Sequence, residues 1–219
     1  MINNRINDTV VEGEIAKFLD KNLYSNKELF SEFARTNGLR EQFSGSDIIV
    51  STSDGLLNRV VVDEKVSSRY ANTKLDTFAL ELSFIGKNGM KRIGWFMDSS
   101  KITDYYLLGW IIKADIPYDI ENSRYDTDKI TCENIKEMDY CLVKRDKIIK
   151  FLDKRGWTVE KLASQDNMIR ERGYVKTNSF LNDVSFRYSK TYVEQPINIL
   201  LKKETYFKLS HINGKIKID

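Results

Sequence analysis

The chain is poor in several things that whole classes of protein require. It has two cysteines, Cys132 and Cys141, in 219 residues. They lack C-x-x-C spacing and a neighbouring histidine, so neither a disulfide-stapled scaffold nor a zinc site is indicated. Thiols this sparse fit a reducing, cytoplasmic setting. The single histidine, His211, cannot supply two metal ligands, and it disfavours a histidine-based triad. No apolar run is long enough to span a bilayer, so no membrane partner is expected. Met1 to Glu14 is polar and carries Asp8, Glu12 and Glu14, which does not read as a secretory signal. The glycines are scattered. Neither a Walker-type phosphate loop nor G-x-G-x-x-G is present, which disfavours nucleotide-cofactor enzymes. Internal repeats and low-complexity tracts are absent too.

What is present describes a globular chain. Hydrophobic residues make up 41% and charged residues 31%, enough apolar surface to offset chain entropy. The length fits one domain, 1–219, with a core over about 10–113 and a basic C-terminal portion, 144–219. The net charge of +3 hides an asymmetry. Residues 1–143 hold 18 Lys/Arg against 23 Asp/Glu, a balance of −5; residues 144–219 hold 17 against 9, a balance of +8. A basic segment beside an acidic one fits a polyanion partner on one side and a cation site on the other, or simply a solvated basic face.

Periodicity gives the element order. Val10 to Tyr24 has helical spacing in Ile15, Phe18, Leu19 and Leu23. Asn26 can cap a second helix, Lys27 to Arg35, ended by Asn37-Gly38. Strands are expected at Asp47–Thr52, Arg59–Val66, Thr77–Phe84, Arg92–Met97 and Tyr105–Lys113. Pro117–Asp128 reads as a loop. A strand at Tyr140–Lys144, helices at Asp146–Lys154 and Val159–Arg172, a β-favouring run Ile197–Leu201 and a basic finish follow. This is an α/β arrangement, a sheet covered by helices.

The informative stretch is Asp47, opening a strand after Gly45-Ser46, and Asp63-Glu64-Lys65, ending a Val-rich strand 16 positions on. Side chains alternate along a strand, so Asp63 and Lys65 share one face and Glu64 takes the other. The strand is apolar on both faces through Val60, Val61 and Val62, the mark of an interior strand. Charges there are costly unless paired or metal-bound. Two carboxylates brought together repel, and a hard divalent cation such as Mg²⁺ relieves that. Metal-assisted phosphodiester hydrolysis is the chemistry this set supports. The plain alternative is a turn aspartate and a strand-end ion pair worth about 0–1 kcal/mol.

The spacing of Asp47 and Asp63-Glu64-Lys65, after an N-terminal helix, resembles the PD-(D/E)XK nuclease superfamily, the fold of many restriction endonucleases and Holliday-junction resolvases. The resemblance spans roughly residues 10–113. Glu12-Gly13-Glu14-Ile15, Gln42, Gly45, Thr77–Leu82, Gly94-Trp95 and Thr103–Tyr106 resemble an uncharacterised bacterial and phage group of that superfamily. Ser46 stands where the pattern has Pro, and the second acid is Asp where Glu is commoner. The resemblance implies a restriction-endonuclease-like core of αβββαβ type, with a central mixed sheet flanked by helices and a C-terminal α/β extension. It implies a DNA endonuclease using Mg²⁺ or Mn²⁺. Asp47, Asp63 and the Glu64 carbonyl would hold the metal, and Lys65 would position the attacking water. An acid on the first helix completes such sites; Glu14 is the choice, with Glu12 the competitor. Glu81-Leu82-Ser83 also reads as a degraded E-x-K, but Asp63-Glu64-Lys65 keeps the lysine. Gln42 is a candidate substrate or water contact. Lys144 and Arg145 head a basic run, with Lys147, Lys150, Lys154 and Arg155, suited to a phosphate backbone. A two-strand cutter is compatible with a homodimer. The alternative reading is a catalytically inactive nuclease-fold module that binds DNA or protein. Trp95, Tyr105, Tyr106 and Trp110 read more readily as sheet packing than as base-stacking platforms.

Overall fold

The computed structural model describes residues 4–36, 44–176, 180–181 and 183–218, with the side chains of the first helix from Thr9 onward. The chain divides into two compact units. One comprises residues 1–75, 103–143 and 210–219; the other comprises 76–102 and 144–209. Residues 76–102, within the span 10–113, belong to the second unit, and the basic portion 144–219 divides between the units at residue 210. The charge asymmetry follows the units, because the first sums to −5 and the second to +8.

The first unit begins with α1 (Asn4–Leu19), which buries Val11, Ile15, Phe18 and Leu19. It continues into one π-turn, Asp20–Tyr24, closed by the Ser25 amide donating to the Asp20 carbonyl at 3.1 Å. The extra residue in that turn shifts the helical phase, so Leu23 and Tyr24 are buried and Asn22 is not.

The expected second helix over 27–35 is instead a turn followed by strand β1 (Phe30–Arg35). Asn26 does cap locally, accepting the Glu28 amide at 2.9 Å, but the chain then extends. Leu29, Phe30 and Phe33 have helical spacing, and a β-bulge between Phe30 and Glu32 accommodates it. Phe30 pairs with Thr52 and Phe33 with Val50 on strand β2 (Ile48–Thr52), so residues three apart share a face. Both rings pack on Tyr24, with centroids 5.1 and 5.7 Å away.

Strand β3 (Val60–Val66) pairs antiparallel with β2. The chain then leaves to supply β4 (Thr77–Ile85) and β5 (Lys91–Ile93) to the second unit. It returns as β6 (Tyr105–Ala114), parallel to β3. Parallel neighbours need such a long crossover. Next come a two-stranded ribbon, β7 (Tyr118–Asp119) and β8 (Arg124–Tyr125), inside the expected loop, and β9 (Ile135–Lys144). The sheet order is β1-β2-β3-β6-β9, closed by β12 (Ile212–Lys217), which runs antiparallel to β9. It is a mixed six-stranded sheet with β3 in its interior. Tyr105, Tyr106 and Trp110 are buried in it, so they pack rather than stack.

In the second unit, helices α2 (Arg145–Asp153) and α3 (Val159–Arg172) precede strands β10 (Ser185–Tyr188) and β11 (Ile197–Lys202) and helix α4 (Lys203–Leu209). The four-stranded antiparallel sheet runs β10-β11-β4-β5. The strand expected over Arg92–Met97 is confined to Lys91–Ile93, since residues 95–97 form a turn. The basic finish supplies α4 to this unit and β12 to the other. No helix among the described residues is long and apolar enough to cross a membrane.

Candidate metal centre

Antiparallel pairing assembles the site. Ile48 lies opposite Val62, and the Asp47 amide donates to the Val62 carbonyl at 3.0 Å. Asp47 stands one residue before β2, beside Asp63 of β3, and the two carboxyls interact. Gly45, in the left-handed region at φ 79°, turns the chain into this strand. Its carbonyl accepts the Thr103 hydroxyl at 2.6 Å.

The expected alternation holds on β3. Lys65 Nζ donates to Asp63 Oδ1 on one face, while Glu64 pairs with Arg35 on the other. Lys65 Nζ also lies 3.4 Å from the Glu64 carbonyl oxygen. The Glu64 amide donates to Asp47 Oδ2 at 2.7 Å. Asp63 is buried, at 4% exposure.

Burial pushes the Asp47 carboxyl up to about 7, and the neighbouring Asp63 adds to the rise; Lys65 and the Glu64 amide oppose it. For Lys65, burial works against the charge. Asp63 and Asp47, with a contribution from Glu12, outweigh burial and hold the ammonium above its ordinary range. A lysine in that state stays protonated near neutral pH. It can hold a water or an anionic oxygen, but it is a poor proton acceptor.

The structure thus brings together Asp47, Asp63, Lys65 and the Glu64 main chain. Glu14 is engaged elsewhere: it accepts the Cys132 amide at 3.0 Å and Lys17 Nζ at 2.6 Å. Those bonds, the Cys132 amide foremost, lower its carboxyl below the usual range. Glu12, the competitor on the same helix, is the acid whose charge reaches Lys65. Gln42 lies outside the described residues. Lys144 and Arg145 belong to the second unit. Lys144 is exposed, whereas Arg145 Nη2 donates to the Phe96 and Asp98 carbonyls at 3.1 and 2.9 Å. Glu81 and Ser83 of the alternative E-x-K lie on β4, where Ser83 donates to buried Asp166 at 2.6 Å.

Among the described residues no group of three or more His, Cys, Asp or Glu side chains is placed to hold a metal. The donor set is two carboxylates and a backbone carbonyl. That all-oxygen set fits Mg²⁺ or Mn²⁺, which commonly take one or two carboxylates and keep several waters. The raised Asp47 carboxyl reflects its burial first and the neighbouring Asp63 second, so in the metal-free protein this face favours the protonated acid.

Sequence reasoning misses Arg35, which closes the expected helix Lys27 to Arg35. A signal for it was available: a glutamate on the second face of an interior strand requires a cation. No family model matches the chain, and no curated protein or solved structure matches it.

Proposed function

We propose that the first unit carries the centre of a divalent-metal-dependent nuclease acting on DNA. The observation that carries this reading is the convergence of Asp47, Asp63 and Lys65 on one face of two adjacent strands. An N-terminal helix, three antiparallel strands and a fourth strand parallel to the third support a restriction-endonuclease-like core. Asp47, Asp63 and the Glu64 carbonyl would hold Mg²⁺ or Mn²⁺. Bound there, the ion supplies Lewis acidity and offsets phosphodiester charge. Lys65 orients the attacking water and stabilises charge developing on the phosphate, as its protonated state allows. The −5 balance of this unit is partly the carboxylates of that centre.

The second unit, at +8, supplies the cationic surface a polyanion needs. The exposed Lys147 and Lys150 of α2, with Lys154 capping its C-terminus, line the side opposite buried Ile148 and Leu152. They are better placed than Arg145 to meet phosphates. The test is cleavage of supercoiled, linear and branched DNA with Mg²⁺ or Mn²⁺. Asp63→Ala should abolish it.

A second reading is favoured by one observation: no third acidic side chain stands in ligating position among the described residues. In that reading the fold binds DNA without cutting it. DNA binding that weakens with salt, with no metal-dependent cleavage, distinguishes it.

A further inference from the structure

Glu64 lies between the two functional residues of β3 and points away from them. Its side chain is 10% exposed, and its Oε2 accepts from Arg35 Nη1 at 2.5 Å. Burial raises the Glu64 carboxyl even against that partner. Arg35 stands at the end of β1, and its other nitrogens reach the helix. Nε and Nη2 donate to Asp20 Oδ1 at 2.9 and 2.7 Å, and Nη2 donates to the Ala16 carbonyl at 3.0 Å. The guanidinium lies 5.6 Å from the centre of the Tyr24 ring. Among the described residues, the Tyr24 hydroxyl and Glu64 Oε1 are both buried without a hydrogen-bond partner. One arginine thus joins α1, the π-turn, β1 and β3.

Burying this set costs desolvation that a packed apolar pair would avoid. Both polar ends of the Glu64 main chain face the site. The amide binds Asp47 Oδ2 at 2.7 Å, and the carbonyl lies 3.4 Å from Lys65 Nζ. We propose that Arg35 and Glu64 are positioning residues: their ion pair, on the far face of β3, holds the Glu64 peptide group aimed at Asp47 and Lys65. Arg35 also anchors the helix that carries Glu12, so one clamp sets the strand and the helix together. This inference rests on reading the site as a divalent-cation centre.

The test uses the full chain, with Mn²⁺ affinity measured by calorimetry and the exchange rate of the residue-64 amide measured by NMR, corrected for intrinsic rate. Glu64→Ala removes the acceptor for Arg35; Glu64→Gln keeps one; Arg35→Lys keeps the charge but loses the fork. Glu64→Ala and Arg35→Lys should each weaken Mn²⁺ by about tenfold, as loss of outer-sphere support does. They should also speed residue-64 exchange, while Glu64→Gln, which keeps an acceptor for Arg35, should fall between Glu64→Ala and wild type in both readouts. A purely structural role would make loss of affinity track the melting temperature and would not single out the Gln rescue. Glu64→Ala and Arg35→Lys proteins matching wild type in both readouts would overturn the proposal. If Glu64→Ala does not fold, Arg35→Lys against Glu64→Gln decides on the same criteria. Asp63→Asn is the control for the centre itself. If wild type and Asp63→Asn bind Mn²⁺ equally poorly, the cation reading fails, and residue-64 exchange alone decides: faster in Arg35→Lys supports the clamp, unchanged overturns it.

Discussion

Asp47 accepts the backbone amide of Glu64 at 2.7 Å, which ties the first acid of the site to the residue between Asp63 and Lys65. The two strands are therefore linked at the site by a side chain as well as by their ladder. The link holds Asp47 next to Asp63 in a mostly buried setting. The consequences are measurable without knowing the substrate.

Stability of the metal-free protein should fall as pH rises. The Asp47 carboxyl titrates near 7 when folded, against an ordinary value of 3.8. The folded state therefore holds its proton more tightly than the unfolded state, and stability drops between about pH 4 and pH 7. Glu64, also raised, contributes a slope of the same sign. Asp47→Asn should remove the Asp47 share and stabilise the apo protein at pH 8 by about 1–3 kcal/mol. Urea unfolding at pH 5 and pH 8 reads this; identical curves for variant and wild type at pH 8 would contradict it.

Divalent cations should reverse that penalty. Mn²⁺ at about 100 times its dissociation constant should stabilise wild type at pH 8 by about 2.7 kcal/mol through linkage. Asp63→Ala should lose the effect. Affinity should decline below pH 7, because the proton on Asp47 competes with the ion. A thermal-shift titration at pH 6 and pH 8 checks the sign. A larger shift at pH 6 would refute it.

Glu12 and Glu14 should separate cleanly. Glu12→Gln should lower cleavage by about tenfold or more, the usual scale of an electrostatic contribution in a site. Glu14→Gln should leave cleavage nearly unchanged, since Glu14 serves the Cys132 amide and Lys17. The reverse ranking would return the first-helix role to Glu14.

The lysine row of α2 should register in the salt dependence of DNA binding. Replacing Lys147, Lys150 and Lys154 together by Gln should reduce the slope of log affinity against log salt by about 2–3. An unchanged slope would mean that the row faces only solvent.

Much of the first sheet was legible in sequence because its signals are local. The Val-rich run of β3 and the apolar run of β6 each carry their own pattern. Strict alternation was enough to put Asp63 and Lys65 together and Glu64 opposite. The two-unit division was not legible, because it depends on pairing far apart in the chain: Leu200 lies against Ala79 and Leu201 against Phe78. β1 carries a helical signature in sequence because its bulge lets residues three apart share a face. The Arg35–Glu64 pair escaped for a similar reason, as 29 residues separate its members and neither looks unusual alone. Choosing between Glu12 and Glu14 required the helix to be docked, since both flank its buried stripe.

The most direct test of the central claim is metal-dependent cleavage by purified wild-type, Asp63→Ala and Lys65→Ala proteins, assayed side by side on supercoiled, linear and branched DNA. Wild type should cut in Mg²⁺ or Mn²⁺ and not in EDTA, and both variants should lose at least about a hundredfold in rate. DNA left intact by wild type in either metal, or cut equally well by Asp63→Ala, would contradict the nuclease assignment.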